Sequence, residues 1–363
     1  MNKVFLWARG VDSVLLGEPK VAGVPLQMSM WAKAFQKNNW VVSSIATHTD
    51  SYEVNGVHFV QAPQCSSKWR KLHLSFIGDT IATYSFLKKQ KPDMVFLRSM
   101  TRELLTLAVC AKILRFKYVF FGASDHDFLP NKESKWNFNH GLERYYRFSL
   151  RFVKYIVTQN EFQAKKLKEN WGRDSIIIPN IWYAGSSESL TKKYDVIWVG
   201  NLRKLKRAEW FLNLARRLPQ SRFAIVGGVS EQDYYNKIRL EASSISNLDF
   251  KGACNLHETN SLISKSRLLA CTSEFEGFPN TFLQAWSYNV PVVSTVDPSE
   301  VIKTYNLGIV IDTEEGFINA VNKISKECSL YEDIVESIND YFMNHHSADS
   351  QKERLMSWIN EQS

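Results

Sequence analysis

A short polar loop with one carboxylate separates two apolar runs in the segment EFEGFPNTFLQAW, residues 274–286. The second run predicts a helix over residues 282–288, so the loop from Glu276 to Thr281 precedes the positive end of a helix dipole. Backbone N–H groups at such a position bind phosphate or sugar hydroxyls, and a carboxylate accepts hydrogen bonds from a neutral polyol. Glu276 is therefore a candidate sugar ligand, and an ordinary exposed loop acid is the alternative.

Gln284 has a purely structural interpretation as well, because Thr281 and Gln284 have the S/T-x-x-E/Q spacing of a helix capping box. Asn289 stands between the predicted helix and Pro291. It suits a helix end because asparagine tolerates the left-handed backbone conformation.

A second group of charges follows a strand-like run in VGNLRKLKRAEWF. Gly200 predicts a turn after the strand, and the next helix is preceded by Arg203, Lys204, Lys206 and Arg207. Cations placed there can stabilise the negative charge of a diphosphate leaving group. A basic turn that only contacts solvent is the alternative interpretation.

In the first half of the chain, polar side chains follow two predicted strands. Asp125, His126 and Asp127 come after the run KYVFF, and Arg98 and Arg102 come after PDMVFL. The aspartates can cap a turn or bind a divalent cation, and the sequence leaves both roles open. The two arginines are candidates for binding an anionic acceptor.

Gly23 precedes a predicted helix, where a glycine lets the backbone approach a phosphate or an acceptor closely. A plain loop at a helix start is the alternative. The helix has an apolar face with the spacing i, i+3, i+4 and i+7, formed by Met28, Trp31, Ala32 and Phe35.

Short strands alternate with helices along the chain, and these elements must position the residues named above. The alternation predicts an α/β fold with parallel sheets covered on both faces. The alternation breaks and restarts once. We therefore predict an N-terminal Rossmann-like domain over residues 1–183, a linker over 184–193, a C-terminal Rossmann-like domain over 194–345 and a C-terminal helix over 346–363 that packs back toward the N-terminal domain. Two doubly wound domains direct the carboxyl ends of their strands toward a shared cleft, where ligands of such sheets bind.

Composition places the chain among globular proteins of two domains, with 363 residues, 44% of them hydrophobic and 23% charged. The amino terminus has no apolar run long enough for a signal peptide or a membrane span, so we expect a cytoplasmic protein. Five scattered cysteines without a C-x-x-C spacing predict reduced thiols and no zinc site.

The net charge of +8 is concentrated in two segments. Residues 68–91 contain six basic residues and one acid, and residues 144–173 contain eight and two. With Trp69 inside KWRK, this predicts peripheral contact with an anionic membrane, and solvated helix faces are the alternative. We expect no nucleic-acid partner because no recognised binding module is present.

The segment FEGFPNTFLQAWSYNVPVVS resembles the E-x7-E region of the retaining glycosyltransferases of family 4, which have the GT-B architecture. The resemblance implies that Glu276 binds the hexose of a nucleotide-sugar donor. The second acid of the motif, which binds the ribose, corresponds to Gln284, so the chain departs from the family there. The loop implied to hold the sugar and the diphosphate comprises Gly277, Phe278, Pro279, Asn280 and Thr281.

The segment WVGNLRKLKRAEWFLNLA resembles the family's Gly-containing turn and donor lysine. Lys206 corresponds to the lysine that contacts the diphosphate, Asn201 stands at the family's arginine position, and Arg203 can replace that charge. The resemblance further implies donor contacts from turns that contain Gly23, Gly200, Gly252 and Ala253.

The family resemblance implies a retaining transferase that moves a hexose from a nucleoside diphosphate sugar to a hydroxyl of a glycan or lipid-linked acceptor, in cell-surface polysaccharide or glycolipid synthesis. The catalytic candidates are Glu276, Lys206, Asp125 and His126, and the acceptor-binding candidates are Arg98, Asp125 and Asp127. No cofactor and no metal are expected, since Lys206 supplies the positive charge that a metal ion would.

Two alternatives stay open. One is a nucleotide-sugar epimerase or hydrolase of the same fold, and the other is a catalytically weakened protein that binds a glycan or a nucleotide-sugar. A nicotinamide-dependent oxidoreductase is excluded, because no G-x-G-x-x-G turn is followed by a ribose-binding acid.

Overall fold

The computed structural model describes residues 1–18, 22–47, 50–64, 75–130, 140–185 and 191–362. The chain forms two compact units. Unit 1 comprises Met1–Leu16, Val21–Asn180 and Gln351–Ser363, and unit 2 comprises Gly17–Lys20 and Ile181–Ser350. Within the predicted linker, residues 184–193, positions 186–190 lie outside the described part of the chain.

Unit 1 is built on an eight-stranded sheet. Its strands are β1 Lys3–Trp7, β2 Val41–Ile45, β3 Tyr52–Val54, β4 Val57–Val60, β5 Met94–Arg98, β6 Lys117–Phe121, β7 Tyr155–Thr158 and β8 Ile176–Ile177. They follow the spatial order β3-β4-β2-β1-β5-β6-β7-β8, and every neighbouring pair is parallel except β3 and β4. The helices between them are α1 Val11–Leu15, α2 Gly23–Gln36, α3 Ser75–Gln90, α4 Glu103–Leu114, α5 His140–Leu150 and α6 Glu161–Trp171.

The antiparallel edge strand β3 is an element that the strand pattern did not predict. It joins β4 through Asn55 and Gly56, whose φ angles are +50° and +74°. Two successive residues with positive φ form the hairpin turn whose twist matches the strands, and Asn-Gly is its preferred sequence. The dipeptide was therefore the signal that could have found this strand.

The apolar face predicted for α2 is confirmed, because all four of its residues are buried. The Trp31 ring lies 5.8 Å from Phe96 and 5.2 Å from Phe121, and the Phe35 ring lies 5.2 Å from Phe96. Aromatic rings at these separations form the core between α2 and the centre of the sheet.

Unit 2 contains a six-stranded sheet in the order β11-β10-β9-β12-β13-β14, with all neighbouring pairs parallel. Its strands are β9 Tyr194–Val199, β10 Phe223–Val226, β11 Leu248–Gly252, β12 Ser266–Cys271, β13 Val292–Ser294 and β14 Gly308–Val310. Its helices are α7 Ala208–Arg217, α8 Gln232–Ser243, α9 Leu256–Ser264, α10 Asn280–Trp286, α11 Val301–Thr304, α12 Glu314–Lys326 and α13 Cys328–His345. The predicted α/β fold with two Rossmann-like parallel sheets is confirmed.

The last helix, α14 Ala348–Glu361, belongs to unit 1 from Gln351 onward. Lys352 Nζ lies 5.6 Å from the centre of the Phe35 ring, and Trp358 packs edge-on against Tyr155 at 5.8 Å. Through these contacts the carboxyl-terminal segment covers part of the core of unit 1.

None of the helices in the described ranges is long and apolar enough to cross a membrane. Four cysteines are described, Cys110, Cys254, Cys271 and Cys328, and all four are free thiols. Burial raises the pKa of the Cys110 thiol to about 11.

We expect Phe35→Ala to destabilise unit 1 by about 3–5 kcal/mol, because it removes a fully buried ring from the aromatic core. The matched substitution Phe148→Ala removes a ring that is 49% exposed, and its cost should stay below about 1 kcal/mol. Urea denaturation followed by circular dichroism measures both free energies of unfolding. Equal destabilisation by the two variants would contradict this account of the core.

Candidate functional site

Four loops meet at the carboxyl edge of the sheet in unit 2, because β11, β10, β9 and β12 are successive parallel strands. Gly200 N–H donates to Val226 O at 3.0 Å, and Gly227 N–H donates to Gly252 O at 2.8 Å. A Cβ at Gly227 would lie 2.3 Å from Gly200 O, so only glycine permits this approach of the two loops. Beside them, a Cβ at Gly228 would lie 3.5 Å from Ala253 Cβ. The predicted donor-binding turns of unit 2 are thus neighbours.

The structure joins the two leading candidates, Lys206 and Glu276, in an ion pair between Lys206 Nζ and Glu276 Oε1. Lys206 ends a short 3-10 turn after β9, and Glu276 lies in the loop after β12. Their side chains are 17% and 14% exposed, so the pair is partly shielded from water. Ser273 Oγ also donates to Glu276 Oε1 at 2.8 Å and holds the carboxylate from a second direction.

Thr272 fixes the two loops that carry this ion pair. Trp198 Nε1–H donates to Thr272 Oγ1 at 3.0 Å, and the same hydroxyl donates to Lys206 O at 2.7 Å. Glu274 N–H donates to Leu205 O at 2.9 Å. Sequence reasoning missed Thr272 and Ser273 as site residues, although the polar pair directly after the apolar run RLLAC was a usable signal.

The four cations of the loop after β9 have different environments. Arg207 donates to Thr272 O at 2.7 Å and stacks over Trp210 at 4.1 Å. Its guanidinium therefore joins the loop after β9 to the loop after β12 and has a structural role. Arg203 is half-buried, and its Nε has no hydrogen-bond partner among the described residues. Lys204 is exposed. Lys206 is therefore the cation of this loop that the structure places against Glu276, and Arg203 is a half-buried neighbour in the same loop.

The capping-box interpretation of Gln284 is wrong. Helix α10 begins at Asn280 after Pro279, earlier than the predicted start at 282, and no side chain caps it. Gln284 instead lies inside the helix, is 5% exposed, and donates from Nε2 to Asn260 Oδ1 at 3.1 Å. Asn289, beyond the helix end, has the left-handed φ of +55° that the sequence predicted.

The other residues predicted in the donor loop lie between Glu276 and the first turn of α10. Gly277 is exposed, and a Cβ there would meet open space. The Phe278 ring packs at 5.3 Å from His346 and 6.2 Å from Trp286. Pro279 is buried, and Asn280 and Thr281 are half-buried at the helix start.

In unit 1, Asp127 has a structural role. It is 7% exposed, and its carboxylate accepts backbone N–H groups of Ala123 at 2.6 Å and Ser124 at 3.2 Å. Burial raises the pKa of Asp127, and these hydrogen bonds together with the charge of Arg98 oppose that rise. Asp127 forms a capping box with Ser124 at the turn Asp125–Phe128, which is the capping alternative left open above.

The remaining candidates of unit 1 differ in how exposed their side chains are. Asp125 is half-buried and accepts from Gln163 Nε2 at 3.0 Å, and His126 is half-buried in the same turn. Arg98 is buried and donates from Nη2 to Asn180 Oδ1 at 2.5 Å. Gly23 is the first residue of α2. Across the described ranges, no group of three or more His, Cys, Asp and Glu side chains could hold a metal ion.

The structure describes the two basic segments to different extents. Residues 68–74, including Trp69, lie outside the described residues. In the second segment, Arg173 donates to the carbonyl oxygens of Leu150, Arg151 and Val153, and Lys168 pairs with Asp174 at 2.8 Å. Part of that charge therefore serves the fold of unit 1.

The family model of glycosyl transferases group 1 matches residues 184–341, which is less than half of the chain. The matched segment includes Lys206, Glu276 and Gln284. A sequence search of curated proteins finds no match.

Solved structures resemble the whole chain. A glycosyltransferase from Rickettsia africae ESF-5 has a TM-score of 0.73 and 14% identity, over 99% of this chain and 98% of that one. Sucrose-phosphate synthase from Thermosynechococcus elongatus has a TM-score of 0.68 and 13% identity, over 100% of both chains. WaaG, a glycosyltransferase involved in lipopolysaccharide biosynthesis, has a TM-score of 0.62 and 14% identity, over 97% and 98%.

At these identities the similarity establishes the fold. Both units have the Rossmann-like fold of GT-B glycosyltransferases, and unit 2 carries the segment described by the group 1 family model.

Proposed function

We propose that the protein is a retaining, metal-independent glycosyltransferase that moves a hexose from a nucleoside diphosphate sugar to a hydroxyl of a glycan or lipid-linked acceptor. The observation that carries the proposal is the partly buried ion pair between Glu276 and Lys206 at the carboxyl edge of a parallel sheet. An anionic polyol ligand needs both a hydrogen-bond acceptor for its hydroxyls and a cation for its diphosphate, and the pair supplies both.

In this proposal Glu276 accepts hydrogen bonds from hexose hydroxyls, and Ser273 keeps the carboxylate oriented. Lys206 stabilises the charge that develops on the departing diphosphate, and Arg203 contributes a second cation whose Nε is unpaired among the described residues. Because the groups are held before the donor binds, little reorganisation is needed during the reaction. The turns at Gly200 and Gly252 and the loop 277–281 complete the donor site.

No side chain is needed as a nucleophile. The acceptor hydroxyl attacks on the face that the diphosphate leaves, and its proton passes to the diphosphate. Asp125 and His126 are proposed to contact the sugar or the acceptor. Asp127 is proposed to position their turn, since its oxygens already accept backbone N–H groups.

Two solved relatives support the donor class. Staphylococcus aureus TarM, at a TM-score of 0.58, is in complex with UDP, and pneumococcal GtfA, at 0.59, is in complex with UDP and GlcNAc. This chain matches 59% and 62% of those chains. WaaG supports a role in cell-surface glycan or glycolipid synthesis. Peripheral contact with an anionic membrane remains part of the proposal, resting on the basic segments 68–91 and 144–173.

We expect Glu276→Gln and Lys206→Met each to lower donor turnover by about 100-fold or more. The first change weakens the hydrogen bonds that hold the hexose, and the second removes the cation that stabilises the departing diphosphate. The donor is first found with a thermal-shift panel of UDP-, GDP- and ADP-sugars, since ligands of the folded state raise its melting temperature. Release of the nucleoside diphosphate then measures turnover.

Two neighbouring residues provide matched controls. Glu274→Gln and Lys204→Met change exposed side chains two positions from the ion pair and should retain turnover. Donor turnover that is unaffected in Glu276→Gln and Lys206→Met would refute the assignment. A product whose anomeric configuration is inverted, measured by NMR, would refute retention.

Gln284 is proposed to accept a ribose hydroxyl with Oε1 while its Nε2 donates to Asn260. We expect Gln284→Leu to weaken binding of the nucleoside diphosphate by about tenfold, and Gln284→Glu to strengthen it because a carboxylate accepts two hydrogen bonds. Titration calorimetry measures both affinities, with exposed Gln232→Leu as the control. Unchanged affinity in both Gln284 variants would leave this residue a purely structural role.

A further inference from the structure

Unit 1 contains a cavity of about 620 Å³ at the carboxyl ends of β1, β2 and β5, closed on the sides by α3 and α4. Ligands of parallel sheets bind at this edge, and the volume suits a small molecule. Much of its wall is apolar and is formed by Trp7, Ile45, Phe76, Leu97 and Tyr145.

The charged group in the buried part of this wall is Arg98, which is 6% exposed. Its Nη2 donates to Asn180 Oδ1, whereas its Nε has no hydrogen-bond partner among the described residues. No carboxylate of the described ranges forms an ion pair with it. Burial lowers the pKa of Arg98 to about 10, and the negative charge of Asp127 opposes that effect. A buried guanidinium without an ion-pair partner is stabilised when an anion binds beside it.

Thr101 adds a second unsatisfied group. It lines the same cavity three residues after Arg98, and its Oγ1 is buried without a hydrogen-bond partner within the described part of the chain. A hydroxyl donates one hydrogen bond and accepts others, so it can bind an anionic oxygen. These two groups beside one cavity have hydrogen-bonding capacity that a ligand can use.

The other charges of the wall do not alter this assignment. Arg9, Arg102, Asp79 and Glu103 are all exposed, and they comprise two cations and two acids. Exposed charges are screened by water and salt, and these four cancel. The buried part of the cavity is therefore cationic through Arg98, and its other buried side chains are apolar or are the neutral hydroxyl groups of Thr83, Thr101 and Thr106.

We infer that this cavity binds the acceptor, and that the acceptor carries a phosphate group that contacts Arg98 and Thr101. The inference rests on the proposed transferase function and adds the chemical class of the second substrate. The phosphate can belong to a lipid phosphate, whose chain would contact the apolar wall, or to a soluble sugar phosphate.

Four probes distinguish these sources by titration calorimetry on the full chain: geranyl phosphate, geraniol, glucose 6-phosphate and inorganic phosphate. We expect a phosphorylated probe to bind at least about tenfold more tightly than geraniol, as hydrogen bonds to a charged group predict. Preference for geranyl phosphate over glucose 6-phosphate identifies a lipid phosphate, and the reverse identifies a sugar phosphate. Equal binding of geranyl phosphate and geraniol, or no binding of any phosphate probe, overturns the inference.

Two variants tie the binding to the cavity. Arg98→Gln should weaken the preferred phosphate probe by about tenfold or more, and Thr101→Val by a smaller factor. Thr101→Val keeps the side-chain volume and removes an unpaired hydroxyl, so it tests the site even if Arg98→Gln does not fold. Arg151→Gln removes an exposed arginine of unit 1 and should bind as the unmodified protein does. Phosphate binding that both Arg98→Gln and Thr101→Val retain in full overturns the assignment.

Nucleoside diphosphate binding provides an independent reference, because its proposed ligands lie in unit 2. Retained nucleotide binding with no phosphate binding in unit 1 would reject the acceptor inference alone. If the unmodified protein binds phosphate in unit 1 but shows no donor turnover, the proposed transferase function is rejected instead.

Discussion

The ion pair between Lys206 and Glu276 depends on the adjacency of β9 and β12, whose chain positions are separated by two further strands. Parallel pairing brings Trp198 opposite Ala270, so the loops after the two strands leave the sheet side by side. Thr272 then joins the loops through Trp198 and the Lys206 carbonyl. A partly buried ion pair contributes little net stability, because removing the charges from water offsets their attraction. In the proposed function, the donor uses both charges of the pair.

The loop after β9 shows how tertiary contacts divide similar residues into different roles. Arg207 donates to the carbonyl oxygens of Thr272 and Ser273 and stacks on the Trp210 ring, so its charge contacts protein groups. In the same short segment, Lys206 pairs with Glu276, and the Nε of Arg203 has no hydrogen-bond partner among the described residues. Gly227 allows its loop to approach Gly200 O at a distance that no Cβ would permit. The proposed donor site is therefore a property of four packed loops.

The two buried charged residues of unit 1, Asp127 and Arg98, differ in how completely their hydrogen-bonding groups are paired. The Asp127 carboxylate is satisfied by backbone N–H groups, and it fixes the turn that carries Asp125 and His126. Arg98 has one firm partner in Asn180 and an unpaired Nε. In the sequence, both residues were candidates for binding the acceptor. Their hydrogen bonds separate a capping residue from a residue with unsatisfied binding capacity.

The sequence alone determined the α/β class, the two parallel sheets, the buried face of α2 and the candidates Lys206 and Glu276, because periodicity and turn residues are local signals. It missed the β3 edge strand, although the Asn-Gly turn was a usable signal. The alternative interpretation of Gln284 as part of a helix cap was wrong, because the helix start at Asn280 was placed two residues late. Only the tertiary structure decided that Lys206 contacts Glu276 and that Arg98 lines a cavity. Strand order brings together residues far apart in the chain, and no local pattern records that order.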